Sequence, residues 1–172
     1  MNRNEFTHID DKGTARMVDV GGKPGSLRRA VAVGEIQMKE SIISSLRNGE
    51  NPKGDVLAVS RIAGIMAAKK VDELIPLCHT LHLNAVHISF YLAEGRILCQ
   101  ALVTSDGKTG VEMEALTAIN IALLTIYDMC KAADKSMILG PVSLLEKSGG
   151  KSGHFKGILP SHWPQDLESE WQ

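Results

Sequence analysis

Apolar positions repeat along the chain with two periods, near two and near 3.6, and the changes between them mark the elements. Residues 28–38, RRAVAVGEIQM, alternate and are rich in β-branched side chains, which predicts a strand. Residues 39–46 carry a short helical pattern that Asn48-Gly49 closes. Asn51-Pro52-Lys53-Gly54 reads as a turn, and Asp55 opens a helix over 56–74 that Pro76 ends. That helix holds Ala58, Ser60, Ala63, Gly64, Ala67 and Ala68, small residues that let another element come close. Residues 77–80 form a loop. Residues 82–94 and 96–104 form a hairpin, with Val86, Ile88, Phe90 and Leu92 alternating and Glu94-Gly95 at the turn. The run 107–131 starts in a glycine-rich turn and continues as one long helix. Residues 137–145 give a last strand, which Pro141 places at a sheet edge.

Strand, helical pair, strand, strand, helix, strand is the βαββαβ order of ferredoxin-like folds. The expected fold class is therefore α+β, with an antiparallel sheet and helices packed on one face. The expected organisation is an N-terminal arm over 1–27, a ferredoxin-like catalytic domain over 28–146 and a flexible Gly/Ser/Lys-rich tail over 147–172, favoured as disordered, with the alternative that its glycine amides and lysines order over a phosphorylated ligand. Within the arm, residues 16–20 offer a short strand, and the last dozen residues read as a disordered end. No internal repeat stands out.

Composition narrows the classes. With 172 residues and 44% hydrophobic content, one globular domain with a real core is expected. Nineteen basic against twenty acidic residues, net charge −1, argue against nucleic-acid and membrane-surface binding. No run reads as long enough to span a bilayer, and the polar start lacks a signal-peptide stretch. Three scattered cysteines favour reduced thiols in the cytoplasm.

Candidate chemistry concentrates on the long helix. Glu114, Thr117, Ile121, Leu124, Asp128 and Lys131 form one stripe at helical spacing, apolar in the middle and charged at both ends. Glu112 and Glu114 suit a positive helix N-terminus, so a plain dipole role and a functional role stand level. Asp128 near the C-terminal end meets the negative pole. Lys131 three residues on offsets that locally, and the misplaced charge tilts Asp128 toward function. Glu114 and Asp128 are about 21 Å apart along a helix, too far for one small ligand held by one chain. Two copies of the helix antiparallel about a twofold near Ile121 would bring them together, which predicts an interface site in a homo-oligomer.

Other motifs are weaker. Gly107-Lys108-Thr109 resembles the end of a phosphate-binding P-loop, but Leu102 stands where the pattern needs glycine; a glycine turn entering a helix can still bind an anion. Cys78-His79 with His82 is a poor zinc set, and His79 reads as a polar contact or an acid/base group. Lys53, Arg61, Lys69, Lys131, Lys147 and Lys151 sit near turns or helix ends. Each alone is a solvated charge; with the carboxylates and a histidine they suit a polyphosphate ligand undergoing proton transfers.

The segments MVDV, GDVLAVSRIAGIMAAKK, LIPLCH, GKTGVEMEALTA, LTIYDMCKA and MILGPVSLLEKSGGKSG together resemble the molybdenum cofactor biosynthesis protein C family, the cyclic pyranopterin monophosphate synthases. The resemblance runs from about residue 6 to 156, with Thr80 where the family has proline. It implies a cytoplasmic lyase that converts a cyclised dihydroguanosine triphosphate to cyclic pyranopterin monophosphate and pyrophosphate. It also implies a hexamer, a trimer of dimers with sites at dimer interfaces. Substrate contacts then fall on Leu77, Cys78, His79, Met113 and Glu114. Asp128 takes an acid/base position with Lys131 beside it, and Asp19, Arg28, Lys53, Glu112, Lys147 and Lys151 match further polar positions. No cofactor is firmly expected, although Mg2+ could accompany the triphosphate. Two other classes stay open: a non-catalytic oligomeric module binding nucleotides or a partner, and a metal-dependent phosphohydrolase using His79 and His82.

Overall fold

The computed structural model of the chain describes residues 8, 9 and 12–164. The start of the expected arm and residues 165–172 of the expected end lie outside the described residues.

β1 (Ser26–Gln37) is the strand on which the sheet is assembled. It pairs antiparallel along its whole length with β3 (Arg96–Gly107), from Ser26 opposite Gly107 to Gln37 opposite Arg96. β2 (Ala85–Ala93) flanks β3 through the Glu94-Gly95 turn, where Gly95 supplies the positive φ of 66°. β4 (Ile138–Ser148) lies on the other side of β1, and β5 (Phe155–Lys156) adds two residues beyond it. The order β2-β3-β1-β4-β5 contains the ferredoxin-like arrangement of the four long strands, as the sequence pattern predicts.

The helices are α1 (Glu40–Arg47), α2 (Val56–Ala68), the single turn α3 (Val71–Leu74) and α4 (Glu112–Cys130). Asp55 caps α2, its Oδ1 accepting from the Ala58 amide at 2.9 Å. Ala30, Ala32 and Ile36 of β1 face the helices and meet Ala115, Ile119, Ala122, Leu123 and Ile126 of α4 in the main core. Gly34 gives α4 room: a Cβ there would lie 2.6 Å from Ile119 and 3.1 Å from Leu123. Val33 and Glu35 point to the opposite face, where Leu98, Leu159 and Trp163 cover them.

Several expectations need correction. The helix predicted over 56–74 is two helices, because the backbone leaves helical geometry at Lys70 and Val71 turns into the core; Ile75, before Pro76, is extended. Residues 16–20 are irregular rather than a strand. Before Ser26 the β-structure of the arm is an isolated bridge, Ile9 to Ala15, among the described residues. β4 is an edge at Pro141, which sits after a cis bond in a register break opposite β1. Its far end is covered by β5. The expected boundaries at 27/28 and 146/147 fall inside β1 and β4, and the segment after 148 folds back to bury Trp163. α4 is, by length and composition alone, long and apolar enough to cross a membrane, contrary to the sequence reading. Here it is the core helix, its apolar side against the sheet.

Candidate active site

The first turn of α4 meets the 77–79 loop and the arm around a cavity of about 360 Å³. Val18, Val20, Leu77, Leu81 and Met113 give it apolar walls, with Cys78, His79, Glu112 and Glu114 as polar groups. The loop is held in two ways. Thr80 Oγ1 donates to Asp72 at 2.6 Å, supplying by hydrogen bond some of the stiffness a proline would give. His79 Nε2 donates to the Val18 carbonyl at 2.7 Å, so a neutral His79 presents Nδ1 as its acceptor.

Glu114 is buried, at 4% exposure, although its neighbours are mostly apolar. Burial pushes its carboxyl up to about 7. The hydrogen bond at its own backbone opposes this, and the charges of Glu112 and Asp72 add to it. The Cys78 thiol is also pushed up, first by burial and then by Glu114 and Asp72, so it is a protonated wall group rather than a thiolate.

A second lobe of about 630 Å³ adjoins the first and shares Lys23, Thr109, Gly110 and Glu112 with it. Three Gly-Lys-X-Gly turns converge there: residues 22–25, 107–110 and 150–153. Arg28 ties two of them together. Its Nε and Nη2 donate to the Gly107 and Lys108 carbonyls at 3.1 and 3.2 Å. On the other side, Gly149 and Gly150 approach so closely that a Cβ at either would overlap the Leu27 carbonyl or the Arg28 guanidinium. Their φ of +95° and +76° also favour glycine. Lys108 Nζ donates to the Gly21 carbonyl at 2.7 Å, and Asp19 Oδ1 accepts from the Gly21 amide at 2.7 Å, fixing the third turn. Lys147 donates to Ser152 within the 147–152 segment. Lys23, Arg28, Lys108 and Lys151 against one carboxylate, Glu112, give this lobe a cationic lining of the kind that suits a polyanion.

The remaining predicted residues are elsewhere. Asp128 and Lys131 form an exposed pair, Nζ to Oδ1 2.6 Å, at the far end of α4. Lys53 Nζ donates to the Asp128 carbonyl at 2.9 Å from the 51–54 turn. The Lys131 hydrogen bond and charge, with Lys53, hold the Asp128 carboxyl below its ordinary range. The unfavourable dipole expected for Asp128 is thus met by two cations. Asp128 lies fourteen residues from Glu114 on the same helix, about 21 Å. One chain therefore splits the predicted set. Leu77, Cys78, His79, Met113, Glu112, Glu114, Arg28 and Lys151 come together, with Asp19 and Lys147 fixing nearby loops; Lys53, Asp128 and Lys131 form a separate cluster. Lys23 is absent from the sequence-based candidates, and Lys108 enters there only within the rejected P-loop match, as part of a glycine turn that can still bind an anion. The repeated Gly-Lys-X-Gly tetrapeptide was the signal that could have found them. Among the described residues, no three His, Cys, Asp or Glu side chains gather as a metal cage.

Comparison with known proteins bears on the same residues. The profile of the MoaC family matches residues 17–150, which include every predicted site residue except Lys151. The chain is 57% identical over 153 residues to a cyclic pyranopterin monophosphate synthase of Novosphingobium aromaticivorans, covering 89% of this chain and 98% of that protein. Proteins of the same name from Roseiflexus sp. and Pelotomaculum thermopropionicum are 54% and 53% identical. Those alignments span 88% and 93% of this chain, and 98% and 95% of the relatives. From the match across both lobes and the length of α4, the chain belongs to the MoaC family.

Proposed function

We propose that the chain is a cyclic pyranopterin monophosphate synthase. It would convert (8S)-3',8-cyclo-7,8-dihydroguanosine 5'-triphosphate to cyclic pyranopterin monophosphate and pyrophosphate, within molybdenum cofactor biosynthesis. The observation that carries this reading is the pairing of two lobes: a polyanion receptor built from three Gly-Lys-X-Gly turns, opening into a cavity where Glu114 holds its proton to about pH 7. A triphosphate on a heterocycle has that same division of charge.

The chemistry follows from the lobes. Lys23, Arg28, Lys108 and Lys151 take the phosphates and absorb charge as it moves onto the leaving pyrophosphate. A ribose-derived hydroxyl attacks the α-phosphorus; a new P–O bond forms and the bond to the β-phosphate oxygen breaks. Opening the purine five-membered ring and closing the pterin ring moves protons at nitrogen and carbon with no net oxidation. Glu114, poised near neutrality, can give or take such a proton, and His79 Nδ1 can accept one. Any Mg2+ would enter on the triphosphate, since the phosphate lobe offers cations and a single carboxylate.

Asp128 and Lys131 join this site only if a second copy supplies them. The solvent side of the helix layer favours that arrangement: Val59, Ile62 and Met66 of α2 and Leu124 of α4 are exposed apolar residues along it. Two antiparallel α4 helices meeting there would bury this stripe and carry Asp128–Lys131 of one protomer toward Glu114 of the other. We place three such dimers in a hexamer, working in the cytoplasm.

The test is turnover. Purified protein given the cyclised triphosphate should release pyrophosphate and a pterin in equal amounts without added nicotinamide, flavin or reductant. Binding of the substrate without pyrophosphate release would make the chain a nucleotide-binding module instead.

A further inference from the structure

The segment after β4 does two things at once. Residues 149–153 carry Lys151 over the phosphate lobe, and residues 157–163 close the opposite face of the sheet. Between the two stand β5, whose two residues pair with Glu146 and Lys147, the Gly157 amide, which donates to the Leu145 carbonyl at 2.7 Å, and an exposed His154 Nε2 at 3.3 Å from Glu146 Oε1. A two-residue strand is a weak hold on a loop with three glycines at positive φ.

The strong hold comes later. Trp163, 2% exposed, packs on Val33 and Leu98 with Leu159 beside it. Its Nε1 donates to Glu35 Oε2 at 2.8 Å, and His162 Nε2 donates to the same oxygen at 2.6 Å. Glu35 is fully buried on β1, and its Oε1 takes Arg96 at 3.1 Å and Gln37 at 3.2 Å. Burial alone would push this carboxyl up, but the hydrogen bonds from His162, Trp163 and Gln37 outweigh it and keep it ionised. The anchor is specific: a buried charge that loses its donors is costly, so the segment has one seated position. Its anchor strand, β1, is also the strand that carries Arg28, against which Gly149 and Gly150 pack. The 149–163 segment is therefore fixed to one strand at both ends, with the 149–153 loop at the first of them. Lys151 lies just beyond the matched residues 17–150 of the family profile.

We propose that His162 and Trp163, seated on Glu35, are positioning residues that hold the 149–153 loop and its Lys151 over the phosphate lobe. This rests on the substrate reading given under Proposed function.

Kinetics of the full chain test it. Trp163→Ala should raise KM for the triphosphate about fivefold or more with kcat within about twofold, the pattern of lost uniform binding. Lys151→Ala should do the same. The double variant should be no worse than Lys151→Ala alone, because both changes remove one lysine contact. A Trp163→Ala protein that melts earlier but keeps the wild-type KM, or whose effect multiplies with that of Lys151→Ala, would overturn the proposal. Should Trp163→Ala not fold, Trp163→Phe keeps the buried ring and removes the N–H donor. Amide hydrogen exchange at 149–153 should then quicken about fivefold or more while α4 is unchanged. Unchanged exchange in the loop would overturn the proposal. Exchange needs no turnover, so a wild type that releases no pyrophosphate would sink the substrate reading and leave the loop to be judged by exchange alone.

Discussion

Glu114 sets the tone of the site because the fold has withdrawn water from it. Its carboxyl is raised above the unfolded value of 4.5 to about 7, chiefly by burial. A raised carboxyl stabilises the fold fully below the unfolded value, and that contribution is lost as pH climbs through about 7. The difference is about 3 kcal/mol when complete. Glu114→Gln, neutral at every pH, should therefore unfold in urea within about 1 kcal/mol of the wild type at pH 5 and be more stable by about 3 kcal/mol at pH 8. A gap that does not change with pH would mean that the carboxyl is solvated. The sequence could not have given this burial. It placed Glu114 at a helix start, where a dipole role and a catalytic role look alike; only the loop at Cys78 and His79 and the arm at Val18 separate them. Lys23 and Lys108 show the opposite case, since the Gly-Lys-X-Gly spacing was present in the chain but its convergence needed three loops distant in sequence.

At the scale of elements, α2 and α4 pack closely because small residues face each other. Gly64 is the tightest point: a Cβ there would lie 2.8 Å from the Ala118 carbonyl and 3.3 Å from Ala122 Cβ. Gly64→Ala would gain helix propensity worth about 1 kcal/mol. It should nonetheless lose about 1–3 kcal/mol net, because backbone and packed side chains must move. Urea denaturation checks this, and a more stable variant would contradict the packing. The small-residue run was legible in the sequence, as were the strand order and Asp55 as a cap, because each is written in local pattern. The break at Lys70 was not, since Lys69 and Lys70 suit a helix and the turn is forced by burying Val71. Nor was the reach of the chain after 148. A stretch of glycine, serine and lysine reads as loose, and its order depends on Trp163 finding Glu35 across the sheet.

At the scale of the whole molecule, the length of α4 governs the account. One chain holds a cleft with Glu114 and keeps Asp128 and Lys131 about 21 Å away along the same helix. The apolar stripe of Val59, Ile62, Met66 and Leu124 beside it is what a second copy would cover. If the site is completed across a twofold, each pocket takes Glu114 from one protomer and Asp128 from the other.

The central claim is tested by mixing two dead enzymes. Glu114→Ala and Asp128→Ala homomers should each lose at least about a hundredfold in rate. Once subunits have exchanged, as followed by native mass spectrometry, half of the dimers pair one variant with the other. In each of these, one pocket carries both lesions and the other carries neither. Activity should return to about a quarter of the wild-type value. Mixtures that exchange fully and stay inactive would show that no pocket is shared, and would contradict the account.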